Sequence, residues 1–440
     1  MKKTLLTTAL LVALSHFGWA QTSINKAKLD SYFQNLETHN KFMGSVAVSQ
    51  NGQIIYSKSI GFADVEKNQK ANENTKYRIG SITKTFTTVL VLKAVEDKKL
   101  SLDQTIEKFF PTIPNANKIT IKQLLGHRSG IHNFTNDQEY LTWYTQAKTE
   151  KEMVEHITKI GSDFEPDSKA DYSNSNYVLL TYILEKTYSQ SYADLLDKHI
   201  IKPLGLKNTK FGGKINTTNN ESKSYSYAGS WKEEPETDMS IPLGAGGIIS
   251  TPTDLTQFSD ALFGGKLLKA ESLELMKTVV DNYGLGLFKI PFYDKTGFGH
   301  TGGIDNFTSM FSYFPDGNIS YALTSNGTNY SNNNISIAVL SAVYGKDYEI
   351  PEFSSYEVTA EELEPYLGVY SSVTIPIKIT ITQDGNTLFA QATGQSAFPL
   401  EATAKDQFKF DLASIVIEFK PSEKKLILKQ SGMELTFLKP

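Results

Sequence analysis

The chain has 440 residues, 40% of them hydrophobic and 21% charged, with a formal net charge of −4: a globular protein with apolar material for more than one domain. The mild acidity and the lack of a Lys/Arg cluster exclude nucleic acid as a partner, because phosphate binding needs a concentrated basic surface. With no cysteine in the sequence, disulfides, thiolate metal sites, a cysteine nucleophile and a cysteine-borne N-terminal lipid are excluded as well.

Residues 1–20, MKKTLLTTALLVALSHFGWA, read as a secretory signal. Lys2 and Lys3 supply the positive start, Leu5 to Leu14 a short apolar centre, and Gly18-Trp19-Ala20 the small residues of a cleavage site. The apolar centre is too short to span a bilayer, and no later stretch has the roughly 20 apolar residues a membrane helix needs. The expectation is an exported protein of the bacterial envelope or medium, without a transmembrane anchor after cleavage.

Residues 44–64 open with a hairpin: SVAVS and QIIYSKSI are β-rich runs separated by Asn51-Gly52, a strong two-residue turn signal. A helix is expected from Ser81, with Phe86, Leu90, Leu92 and Val95 on it. A polar, helix-rich middle runs from about residue 103 to 240, punctuated by Pro111, Pro114, Pro166 and Pro203. Between 297 and 327, FTSMFSYF, the turn PDGN and ISYALTSN form a second hairpin. Strands at both ends of a helical middle predict an α+β domain, residues 21–350, with one antiparallel sheet built from both termini and a helical lobe inserted. From 355 to 440 the texture is all-β. Ile375, Ile377, Ile379 and Ile381 alternate with polar neighbours before a turn at Asp384-Gly385, which predicts a small barrel or sandwich. Glu361, Glu362 and Glu364 mark a solvated boundary.

The chemistry-bearing patterns are three. Ser-x-x-Lys occurs three times, at Ser23/Lys26, Ser81/Lys84 and Ser422/Lys425, where about two are expected by chance. Only Ser81 heads a long apolar helix, where residues three apart share a face and Lys84 stands beside the hydroxyl. A serine is a poor nucleophile until a neighbour takes its proton, and a lysine can take it only when neutral. A model lysine has a pKa near ~10.4, so lowering it to ~7 represents about 4–5 kcal/mol, and burial is what lowers it. The alternative on this segment alone is a solvated Lys84 with Ser81 as a helix cap. The second pattern is Tyr172-Ser173-Asn174, a tyrosine able to shuttle a proton if positive charge lowers its pKa and an asparagine able to hold a substrate amide. A second Tyr-Ser-Asn, at 330–332, sits in an asparagine-rich loop. The third is His300-Thr301-Gly302-Gly303 at the start of an edge-strand pattern, with a literal Lys-Thr-Gly at 295–297 in the stretch before it.

Taken in order, Ser81-Lys84, Tyr172-Asn174 and His300-Gly302 resemble the serine hydrolase family that includes class C β-lactamases, D-alanyl-D-alanine carboxypeptidases and related esterases. The flanks ITIKQLLGHRSGI (119–131), IIKPLGLKNT (200–209), GAGGIISTPTDL (244–255) and YGLGLF (283–288) agree, and the resemblance covers roughly residues 30–345. It implies a β-lactamase/transpeptidase-like fold, no cofactor, and a small-molecule or peptidoglycan-derived substrate. It implies further that Ser81 attacks a carbonyl with Lys84 and Tyr172 managing its proton. Asn174, His300, Thr301 and Gly302 would bind substrate, and the backbone N–H groups of Ser81 and Gly303 would form the oxyanion hole. The flanks choose His300 over Lys295, and Tyr330 falls after the third motif. Two departures stand out: His300 offers a charge only below about pH 6.5, which weakens the case for a terminal carboxylate on the substrate, and Asp167 stands where a glycine is usual. An α/β-hydrolase is excluded by the absence of G-x-S-x-G, and a zinc hydrolase by the absence of H-E-x-x-H; His127 and His132 read as polar contacts of the lobe. The rival from another class is a penicillin- or peptidoglycan-binding protein without turnover. The choice among β-lactam, D-amino peptide and ester stays open, as do the oligomeric state and the role of the C-terminal domain.

Overall fold

Two stretches from opposite ends of the sequence meet in one sheet in the computed structural model, which describes residues 24–227, 229–353, 356–372, 374–430 and 432–439. The signal reading of residues 1–20, and Ser23 of the first Ser-x-x-Lys, lie outside the described residues.

The sheet has six strands, all neighbours antiparallel, in the order Phe288–Phe292, Lys295–Ile304, Phe307–Phe314, Ile319–Thr328, β1 (Phe42–Gln50) and β2 (Gln53–Ile60). Asn51 and Gly52 turn β1 into β2 with positive φ of 52° and 78°, the conformation that an Asn-Gly hairpin turn demands. β1 and Ile319–Thr328 lie at the centre and are buried almost throughout, and their alternation sorts two cores. Val46, Val48, Ile319, Tyr321 and Leu323 point to one face, where they meet α1 (Lys26–Thr38) and the helix Asn332–Val343. On α1 the buried residues are Leu29, Tyr32, Phe33 and Leu36, the i, i+3, i+4, i+7 stripe of a helix lying on a core. Ala322 and Phe311 point the other way, into the larger core under the helix Pro252–Phe263.

That larger core holds α2 (Thr83–Glu96), buried on nearly every side from Thr83 to Leu92. A helix that is buried all round cannot leave polar groups unpaired, and its threonines comply: Thr85 donates to the Gly286 carbonyl and Thr87 to that of Gly244, each at 2.7 Å. The α-helix begins at Thr83 rather than Ser81, which sits in a single 3₁₀ turn, Gly80–Ile82. Gly80 takes φ +49° there, a conformation that glycine adopts at little cost.

The C-terminal region is a closed eight-stranded barrel from Gly368–Ser371 to Met433–Leu438, sealed by Ser371 against Leu438. It is a barrel and not a sandwich. Ile379 and Ile381 face its interior as the alternation predicts, but Ile375 and Ile377 precede the strand, which starts at Lys378 just after Pro376; proline has no N–H for a ladder. Glu362 has a structural task at the boundary, closing a capping box with Thr359. The barrel meets the rest of the chain around Lys41, whose Nζ lies 2.5 Å from Glu401 and 3.0 Å from Asp411. Among the described residues no helix is long and apolar enough to cross a membrane.

Candidate active site

Two segments distant in sequence bring their motifs to one point. The 3₁₀ turn presents Ser81, α2 presents Lys84, and the segment leading into the helix Asn174–Tyr188 presents Tyr172 and Asn174. Lys84 is 0% exposed. Its Nζ stands 2.9 Å from Ser81 Oγ, 2.7 Å from Asn174 Oδ1 and 2.7 Å from the Ala245 carbonyl oxygen. Burial holds this amine well below the ordinary lysine range. A neutral amine has two N–H groups and one lone pair. The two oxygens that can only accept, on Asn174 and Ala245, take both N–H groups, so the lone pair falls to the Ser81 hydroxyl. The Asn174 amide is fixed in the required sense because its Nδ2 donates to Thr135 Oγ1 at 3.1 Å.

Tyr172 stands beside the pair: Lys84 Nζ lies 4.9 Å from its ring centroid, and the Ser81 hydroxyl is close enough to bear on its phenol. The sequence reading expected positive charge to depress this phenol. It is instead pushed up, chiefly by burial, with the Ser81 hydrogen bond opposing. The cause is the dryness of the site: burial disfavours a phenolate, and the neighbouring phenols Tyr177 and Tyr283 add to it.

His300 lies on the strand Lys295–Ile304, 2% exposed, with Nδ1 2.6 Å from the Thr301 carbonyl oxygen. Burial pushes it down to about 3. It is an uncharged imidazole with its proton on Nδ1. Strand Phe288–Phe292 pairs with this strand only as far as Gly299, so from His300 onward that edge is free of it and lies against the Ser81 turn. The two backbones touch. A Cβ on Gly80 would sit 2.7 Å from Gly303 N, and one on Gly302 would collide with the Ile79 carbonyl oxygen. This places the backbones of Ser81 and Gly303 side by side, with Thr301 exposed at the rim. Lys295 is the first residue of the same strand rather than part of a preceding loop, and it pairs with Asp316 at the far end. Tyr330 packs in the α1 core.

A family model, Beta-lactamase, matches residues 29–343. The chain belongs to the Beta-lactamase family of serine hydrolases. It is 31% identical over 277 residues to a teichoic acid D-alanine hydrolase of Staphylococcus aureus, an alignment covering 61% of this chain and 66% of that protein, so it spans just under two thirds of that relative's length. Among solved structures it resembles a D-amino acid amidase from Ochrobactrum anthropi, with TM-score 0.64 and 26% identity, covering 73% of this chain and 99% of that one. An octameric penicillin-binding protein homologue from Pyrococcus abyssi shares the fold over 94% of this chain and 100% of its own, with TM-score 0.66 and 24% identity.

Two supports of this family site escaped the motif reading. His127 is buried, accepts a hydrogen bond from Ser173 N at 3.1 Å and stacks on Tyr172 with centroids 4.3 Å apart; it is a polar contact, but one made directly to the catalytic candidate. Arg78 is buried between Asp305 at 2.6 Å and Glu236 at 2.7 Å and also donates to the Thr237 and Gly213 carbonyls. It ties the residues before Ser81 to the hairpin tip after Gly303. A charged residue inside the apolar run YRIGS was the available signal. Asp167 is also explained: its φ is +67°, a left-handed position where glycine is favoured and a short polar side chain is tolerated, and its carboxylate pairs with Arg128 at 2.6 Å.

Proposed function

We propose that the protein is an exported serine hydrolase that forms an acyl-enzyme on Ser81 and acts on D-alanyl or other D-aminoacyl esters and amides. The observation that carries this is the fully buried Lys84 amine 2.9 Å from the Ser81 hydroxyl, held by that burial well below the ordinary lysine range. As Ser81 Oγ forms its bond to the substrate carbonyl carbon, its proton passes to Lys84. The oxygen that gains charge faces the N–H groups of Ser81 and Gly303, where such donors are each worth a few kcal/mol. The bond to the leaving alcohol or amine then breaks, and that group receives a proton from the Tyr172 phenol, which Lys84 replaces. Water repeats the sequence on the ester, with Lys84 again the base, and frees the acid. Asn174 orients Lys84 and, from its place in the cleft lining, the substrate. His300, uncharged, contributes shape and hydrogen bonding.

Support for the D-aminoacyl class comes from the amidase and D-alanine hydrolase named above, and export is inferred from residues 1–20. The test is covalent labelling with a fluorophosphonate, located on the Ser81 peptide by mass spectrometry and lost in Ser81→Ala, together with turnover of D-alanyl ester and D-amino acid amide. A penicillin-binding protein without turnover would instead take a penicillin label on Ser81 and release none of it.

A further inference from the structure

Resting on the hydrolase reading just given, we infer that the cleft selects an acyl donor bearing a free ammonium group and that the Glu234 carboxylate binds it. The cleft around Ser81 has a volume of about 350 Å³, and no lysine, arginine or histidine is among the described residues that line it. Two carboxylates do line it, Asp305 and Glu234. Asp305 is fully engaged: Oδ2 takes Arg78 at 2.6 Å and Thr237 N at 3.0 Å, and Oδ1 takes the Thr237 hydroxyl at 2.5 Å. Glu234 is half-buried and anchored through its backbone N–H to the Ser224 carbonyl at 2.9 Å. Its carboxylate has no hydrogen bond or ion pair among the described residues, and Tyr144 lines the same cleft, its ionisation resisted by burial, by Asp305 and then by Glu234.

The cations nearby are already committed. Arg78 is paired with two carboxylates and two carbonyls, Lys84 is buried and held well below the ordinary lysine range, and Lys223 is held 2.6 Å from Glu233. A substrate carboxylate in this cleft would therefore meet an acid and no compensating charge. An ammonium would meet an unpaired carboxylate beside the rings of Tyr140 and Tyr144, both favourable to a cation. The same wall carries Leu141, 72% exposed, which suits an apolar side chain on the acyl group. The substrate class is an α-aminoacyl ester or amide with its amine unblocked.

The test uses the full chain and matched pairs: D-alanine methyl ester and D-phenylalanine amide, each beside its N-acetyl counterpart. The quantity read is the ratio of kcat/KM within a pair, which is insensitive to any inactive fraction. At pH 7 the wild type should favour the free amine by about tenfold or more, the range of a charge-assisted hydrogen bond, and Glu234→Gln should bring the ratio close to one. The ester and amide arms show whether oxygen- or nitrogen-linked donors are preferred. A ratio near one in the wild type, or one unchanged in Glu234→Gln, overturns the charge selection while Ser81 labelling and N-acetyl turnover still support a hydrolase. No turnover of any member and no label on Ser81 would overturn both.

Discussion

Lys84 Nζ and Ser81 Oγ stand 2.9 Å apart in a place where the lysine has no exposure, and the two facts together set how activity depends on pH. The amine must be uncharged to accept the serine proton. With an N-acetyl D-alanine ester, which has no amine of its own to titrate, we expect kcat/KM to rise with pH along a single acid limb that ends well below the ordinary lysine value of ~10.4, and then to stay level through pH 9, because Tyr172 is pushed up rather than down. No inflection should appear near 6.5, since His300 is held down at about 3. Lys84→Gln should cost about 10²–10⁴-fold in the acylation rate, read by stopped-flow labelling. The same burial shapes stability. The unfolded chain carries a charged Lys84 and the native chain a neutral one, so the unfolded state binds the extra proton and stability rises with pH between the folded and unfolded values. A denaturant series from pH 7 to 9 should show this slope in the wild type and its loss in Lys84→Met.

His127 offers a way to separate positioning from chemistry. It holds Ser173 N and covers the Tyr172 ring, and burial keeps it uncharged. Its φ of +57° makes asparagine the conservative replacement, because asparagine tolerates that backbone and can accept the same hydrogen bond. His127→Asn should lower kcat about tenfold with KM little changed, whereas His127→Ala should lose more and lower Tm as well. Equal effects of the two replacements on kcat would show that the acceptor, and so the placement of Tyr172, is not what His127 supplies.

The parts of this site that could be read from the sequence are those whose spacing is fixed by local geometry. Ser81 and Lys84 are one helical turn apart, and Tyr172 and Asn174 straddle the start of a helix, so each pair comes as a unit. The sheet was legible for a similar reason: Asn51-Gly52 between two β-rich runs dictates a hairpin. Arg78 and His127 matter only through residues far along the chain, Asp305 and Ser173, and Glu234 only through the cleft that the fold assembles around it; no local period encodes that. The pKa directions of Tyr172 and His300 were out of reach too, because they depend on how dry the assembled site is, not on residue type.

Arg78 and Asp305 form the ion pair on which the alignment of the two backbones at Ser81 and Gly303 depends. Both side chains are 2% exposed. Breaking a buried pair from one side strands a charge, typically at 3–5 kcal/mol, so Arg78→Met should lower Tm by several degrees or prevent folding. Asp305→Asn keeps a hydrogen-bonding group of the same shape and is the informative variant. It should fold, lose less stability, and lower kcat for ester and amide alike through a displaced Gly303 N–H. A kcat equal to that of the wild type would mean that the hairpin tip holds its place without the charge.

Lys41 fastens the barrel. Burial works against its charge, but the Glu401 hydrogen bond and Asp411 outweigh it and hold the amine above the ordinary lysine value. Phe353 lies beneath both Lys41 and Lys409 at about 5 Å, and Asn334 Nδ2 reaches Ser414 at 3.0 Å. None of the described residues lining the cleft comes from the barrel, so these contacts are expected to stabilise the chain rather than shape the substrate site. Because the folded value is raised, the clasp contributes fully below the unfolded lysine value near ~10.4 and fades as pH climbs through the folded one. Lys41→Met should weaken docking by about 1–3 kcal/mol, less than a fully buried pair would lose, because Glu401 is 41% exposed and Asp411 keeps Lys409 at 3.2 Å. Cleavage between residues 345 and 360 by a trace of protease should speed up accordingly, with ester hydrolysis by the intact chain unchanged. A loss of hydrolysis in step with the cleavage rate would instead make the barrel a working part of the active site, acting through Asn332, whose Nδ2 donates to Thr308 Oγ1 at 2.6 Å on the residue paired with Gly303.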